Sequence, residues 1–174
     1  MTYIFVFMVF VRCIARGLEI MMKNFIAGLT FVIALTEFTN AQEFLTPNPD
    51  MSAKRVVEIQ LTALQQNDSP SVDAGIVQTW NFAHPDNKRY TGPLARFAAM
   101  VKSPYYRDMI NHSKHTIKSI VTTNEYALFR VTIVSKDNVR STFKWELMKA
   151  KTGTLNGAWM TTSVSPPLRA EESV

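Results

Sequence analysis

The chain has 174 residues, 47% hydrophobic and 19% charged, the composition of one ordinary globular domain, which excludes a fibrous or wholly disordered chain. Nineteen Lys and Arg against fourteen Asp and Glu give a formal charge of +5. The basic residues are scattered singly apart from Lys54-Arg55 and Lys88-Arg89, so no stripe could neutralise a row of phosphates, and nucleic acid is not an expected partner.

The first forty residues differ from the rest. MTYIFVFMVF and NFIAGLTFVIAL are strongly apolar, interrupted by Arg12, Arg16 and Lys23. From Met21 or Met22 the order is that of a secretory signal: Lys23 as the charged start, an apolar stretch from Phe25 to Leu35, then Thr39-Asn40-Ala41 with small residues where a signal peptidase reads. The apolar stretch is too short to span a bilayer, which takes roughly twenty residues, so no stable membrane span is expected in the mature form. Residues 1–20 read either as an upstream extension from too early a start codon or as a long charged leader. Cleavage after Ala41 is expected, and with it export to the periplasm or the medium. The single cysteine, Cys13, precedes that point, so the mature chain is read as cysteine-free.

Residues 42–50 read as a Pro-containing linker, 51–168 as one α+β domain and 169–174 as a polar tail. Asp50 stands as N-cap before MSAKRVVEIQLTALQQND, where Val57, Leu61 and Leu64, widened by Val56 and Ile59, make an apolar stripe at helical spacing. A second helix is expected from about Ser71, with Val72, Ile76 and Trp80 on one face and Asp73 in its first turn. His84-Pro85-Asp86-Asn87 breaks the pattern and reads as a loop. Thr91 then reads as the N-cap of a further helix, with Pro93 in its first turn and Leu94, Phe97, Ala98 and Val101 on its apolar face. SPYYRDMINH adds one short helical turn.

From His115 the period changes to two. IKSIVTT, EYALFRVTIVSK, VRSTFKWELMKAK and AWMTTSV are rich in β-branched and aromatic residues and are separated by turn signals. Alternation puts Ala127, Phe129, Val131 and Ile133 on one face, joined by Phe143, Trp145 and Leu147, with Arg130, Thr132, Lys144 and Glu146 opposite. The expected fold is α+β, with N-terminal helices packed on a curved four-stranded antiparallel sheet.

VVEIQLTALQQND at 56–68, DAGI at 73–76, the NFAHPDN and TGPLARFAAMV blocks, Tyr105-Tyr106 and GAWMTTSV at 157–164 together resemble an uncharacterised family, domain of unknown function 4864, of small and often exported proteins. The resemblance implies a cone-type α+β domain of the SnoaL-like, nuclear-transport-factor-like group. It brings no established reaction, cofactor or catalytic residue.

Chemistry must therefore be read from individual side chains. His112 and His115 form an H-x-x-H without a carboxylate or third ligand nearby, a poor metal site, so no metal or cofactor is expected. Asp73 and Asp108 are the acids that could face a pocket with Tyr90, Tyr105 or Tyr106 as hydrogen-bond partner, but N-capping and solvation account for both. The residues expected to touch a ligand are Trp80, His84, Tyr105, Tyr106, Asp108 and Trp145. The expected function is non-catalytic binding of a small apolar ligand or a protein partner. The alternatives are a small lyase, isomerase or hydrolase using an acid or histidine in the pocket, and a structural homodimer. On export the chain is expected to begin at Gln42; N-terminal sequencing of exported protein checks this, and a start elsewhere rules out the Ala41 site.

Overall fold

A computed structural model describes residues 43–168; the expected leader and cleavage point and the expected tail 169–174 lie outside the described residues. Helix α1 is Ala53–Gln65, and its stripe behaves as its spacing dictates: Val56, Val57, Ile59, Leu61 and Leu64 are all buried. Its N-cap is Ser52 rather than Asp50. The Ser52 hydroxyl accepts from Arg55 N–H at 3.2 Å, while the Asp50 amide donates to Asn48 Oδ1 at 3.0 Å in a turn that ends before the helix begins.

Helix α2, Ala74–Asn81, starts later than Ser71. Asp73 sits in the left-handed region at φ 64°, which no helix interior holds, and Val72 is left outside the helix and 78% exposed. The cap comes from the end of α1. Asn67 accepts Gly75 N–H on its carbonyl at 2.9 Å and Ile76 N–H on its side-chain oxygen at 3.0 Å, satisfying donors that the first turn leaves open. Asp68 Oδ1 takes Asp73 N–H at 3.1 Å, and Asn111 Nδ2 reaches Asp68 Oδ2 at 2.8 Å. The Asp73 carboxylate is thereby free to pair with Lys102.

The His84-Pro85-Asp86-Asn87 cluster ends α2 as expected, yet it opens another helix instead of a loop. Helix α3 is Pro85–Thr91, with Pro85 in its first turn, where a missing N–H costs nothing, and His84 Nδ1 accepting from Asp86 N–H at 3.2 Å. Thr91 closes this helix, its hydroxyl donating to Asn87 O at 2.9 Å, and Gly92 at φ 78° makes the turn. Helix α4 is Leu94–Val101, preceded by Pro93 without a side-chain cap. A single 3-10 turn follows at Arg107–Met109.

The four strands β1 (Lys114–Thr122), β2 (Tyr126–Val134), β3 (Arg140–Lys149) and β4 (Trp159–Val164) form one antiparallel meander in sequence order, so the fold is α+β. Phe129 faces Trp145 and Val131 faces Phe143 across β2 and β3, and these inward residues share one apolar cluster with α1. Arg130, Thr132, Lys144 and Glu146 take the opposite face, as the alternation requires. One bulge lies at Ile120, between Ser119 and Val121, and another at Thr162 opposite the Glu146–Leu147 step, the kind of insertion that bends a strand.

The outer edge of β4 is partly closed by the chain between α2 and α3. Ala83 bridges Thr161 in parallel, with His84 N–H donating to Thr161 O and Thr161 N–H donating to Phe82 O, both at 2.8 Å. This strap uses backbone groups that an open edge would leave bare.

Helices α1 and α2 meet at Gly75, where an added Cβ would lie 2.1 Å from Ala63 O. Backbone cannot yield as a flexible side chain can. Gly75→Ala is expected to lower stability by about 3 kcal/mol, the upper end of the overpacking range; urea unfolding of the variant checks this, and an unchanged midpoint contradicts it.

Candidate functional site

The apolar stripe of α1 has one polar member. Gln60 lies one turn after Val56 and one before Leu64, on the buried face, and is wholly inaccessible. Its amide is hydrogen-bonded on both ends. The oxygen accepts from Trp145 Nε1–H at 3.1 Å and from the Thr161 hydroxyl at 2.7 Å; Nε2 donates to Thr79 O at 3.1 Å. Because an indole nitrogen only donates, the Gln60 oxygen must face Trp145, which fixes the orientation of the amide. Trp145 comes from β3, Thr161 from β4 and Thr79 from α2, so one side chain joins four elements.

This cluster forms the floor of a half-open cavity of about 270 Å³ between the helices and the sheet. Leu64, Phe97, Met100, Val101 and Met109 supply apolar wall, and Ala83, Asn87, Tyr90 and Thr91 line it from the strap and α3. Residues Thr161–Val164 of β4 complete it. Among the described residues, none of those lining it is a carboxylate, imidazole, ammonium or guanidinium. Apart from that of Tyr90, which is 83% exposed, the lining hydroxyls are also spent within the protein. Thr79 donates to Gly75 O at 2.8 Å, Thr91 to Asn87 O, Tyr106 to Val164 O at 3.2 Å, Thr161 to Gln60, Thr162 to Glu146 O and Ser163 to Glu146 Oε2. Burial pushes the Tyr106 hydroxyl up from its ordinary value, so it stays a donor.

Of the six residues expected from sequence, the cavity brings together Tyr106 and Trp145. Trp80 instead packs on Phe97 with ring centroids 5.0 Å apart and has Lys88 Nζ over its ring. His84 caps α3, Tyr105 is 66% exposed, and Asp108 accepts the Ser141 hydroxyl at 3.2 Å. None of these four lines the cavity. Gln60, Thr79 and Thr161, its polar floor, were missed. The signal for Gln60 was present: a polar residue at a position that helical periodicity assigns to the core.

A second cluster lies elsewhere. His112, 2% exposed, has Nδ1 at 2.7 Å from Met109 O and so must carry the proton there. Its Nε2 then accepts from His115 Nδ1–H, also at 2.7 Å. Burial holds both imidazoles below their ordinary value; the neighbouring His115 lowers His112 further, against the Met109 carbonyl, and Glu58 partly opposes the shift at His115. Among the described residues no group of three or more His, Cys, Asp or Glu could hold a metal ion, and no helix is long and apolar enough to cross a membrane.

Helices and an antiparallel sheet enclosing a small neutral cavity define the class: a compact α+β domain with an uncharged recess. The family follows from comparison. The model of the family described as Domain of unknown function (DUF4864) matches residues 47–166, and the chain belongs to it. No curated protein and no solved structure matches the chain.

The histidine pair generates a pH dependence. Both side chains bind protons less readily folded than unfolded, so the unfolded chain takes up more protons as pH falls through the ordinary imidazole value of 6.5. Stability present above that pH is lost as pH falls below it. Urea midpoints measured from pH 7.5 down to pH 5 are expected to decline; a flat profile contradicts the neutral pair.

Proposed function

We propose that this chain is an exported, cone-type (SnoaL-like) domain that binds a small, uncharged and mainly apolar molecule in the cavity and performs no reaction on it. The lining carries this reading. A general base or nucleophile needs a titratable or activated group within hydrogen-bond reach of the substrate. The walls instead offer aliphatic and aromatic surface whose hydroxyls, except that of the exposed Tyr90, are already committed to protein acceptors. The acids of the catalytic alternative lie elsewhere, Asp73 against Lys102 and Asp108 against Ser141.

Size narrows the ligand. A cavity of about 150 Å³ takes up benzene, so this one has room for roughly ten or eleven non-hydrogen atoms. An ion would be stripped of water without a counter-charge, and burying it would cost several kcal/mol, which favours neutral molecules.

Naphthalene and n-butylbenzene match that size and serve as probes. Saturable binding of at least one is expected by ligand-observed NMR. Met100 is half-buried and lines the cavity. Met100→Trp, which fills it, is expected to weaken binding about tenfold or more, or about 1.4 kcal/mol, with thermal unfolding still cooperative. The absence of saturable binding by any neutral probe, or turnover of one, overturns the reading.

A further inference from the structure

We propose that the outer face of the sheet docks on an anionic phospholipid bilayer, with Lys114, Lys118, Arg130, Arg140 and Lys144 meeting the headgroups. The cavity lies on the other side of the sheet, between it and the helices, so this inference stands apart from the binding reading above.

Strand register assembles what the sequence scatters. Lys118 stands directly opposite Arg130 across β1 and β2, and Arg130 directly opposite Lys144 across β2 and β3. The next row on this face is hydroxyl, Thr116, Thr132 and Thr142, and in the one after it Lys114 and Arg140 flank Val134. Alternation puts all of these on the face turned away from α1. With strands about 4.8 Å apart and a rise of about 3.3 Å per residue, the five cations occupy roughly 10 Å by 13 Å. Glu146 is the one carboxylate in the four strands. Lys54, Arg55, Arg89, Lys102 and Lys151 pair with carboxylates elsewhere, whereas among the described residues Lys114, Lys118, Arg140 and Lys144 form no such pair. Like charges directly opposed on a sheet destabilise it, so the row calls for counter-charge from outside.

The pattern favours a bilayer over other polyanions. A second copy of this chain would bring the same cations face to face. Lysine is depleted at the core of protein interfaces, while each Lys or Arg near an anionic leaflet strengthens attachment about fivefold. Single-stranded nucleic acid needs aromatic platforms, and this face carries one ring, the half-buried Tyr126. Beyond Lys118 the bulge in β1 leaves aliphatic surface instead: Ile120 is 43% and Val121 41% exposed, with Leu128 opposite Val121. Cations beside exposed aliphatic side chains suit the boundary between headgroups and acyl chains.

The experiment is vesicle co-sedimentation of the full chain, with phosphatidylcholine alone and with phosphatidylcholine mixed with phosphatidylglycerol. The mixed vesicles are expected to bind more tightly, and that preference to fall as salt rises from about 0.1 M to about 1 M and the screening length shrinks from about 10 Å to about 3 Å. The double variant Lys118→Gln/Lys144→Gln is expected to weaken binding to the mixed vesicles about twentyfold. The control Lys54→Gln/Arg89→Gln removes the same charge from the helices and is expected to leave binding within about twofold. Residues 1–41 are common to every variant and cancel in these ratios. Lys118 and Lys144 are exposed, so thermal unfolding is expected to stay cooperative; if that variant does not fold, Lys114→Gln/Arg140→Gln tests the same face. Equal weakening by the face and control pairs overturns the proposal, as does the lack of any preference for the mixed vesicles. Tighter binding to polyglutamate or to a DNA duplex at equal charge concentration also overturns it, assigning the face to an acidic protein or a nucleic acid.

Discussion

The indole of Trp145 can donate a hydrogen bond and cannot accept one, and the orientation of the whole cavity floor follows from that asymmetry. Facing the indole, Gln60 must turn its oxygen toward β3 and its amide hydrogens toward α2. Thr161 then donates to the same oxygen, and its own backbone is held by the strap between α2 and α3. A polar triad inside an apolar core costs free energy unless its members satisfy one another, and here all but one of its hydrogens are satisfied. The same bonds that set α1 over the sheet build the floor of the recess.

The strap gives NFAHPDNKRYT a role that neither a plain turn nor a catalytic loop describes. Proline ends one helix and begins the next, and the few residues between them pair with the β4 edge. That pairing places Asn87, Tyr90 and Thr91 along the cavity. The histidine in this stretch acts on the backbone as a cap. Its chemical prominence in the sequence, the one imidazole in a cluster of breakers, reflects helix initiation.

Rigidity at the opposite end comes from a separate set of amides. Asn67, Asp68 and Asn111 exchange hydrogen bonds among the end of α1, the start of α2 and the approach to β1, and the Asp68 carboxylate is held below its ordinary value first by the Asn111 side chain and then by the Asp73 N–H. Asn67 replaces a side-chain cap at Asp73, so the acid that dipole reasoning places as a helix-start carboxylate is free to pair with Lys102. Local capping rules placed α2 three residues early because the capping group, Asn67, lies before the turn, just past the end of the preceding helix.

The sequence by itself determined the strands, their inward faces and the main buried stripe of α1. Periods of two and 3.6 are local properties of the chain: Phe129, Val131, Phe143 and Trp145 had to share a face, as did Val57, Leu61 and Leu64. Two of the residues that line the recess, Tyr106 and Trp145, were legible because large amphipathic rings favour such places. The tertiary structure decided the rest. Gln60, Thr79, Trp145 and Thr161 are separated by up to 101 positions, and no local pattern records that their hydrogen bonds converge. Which donor meets which acceptor depends on where every partner sits, and that is a property of the packed molecule alone.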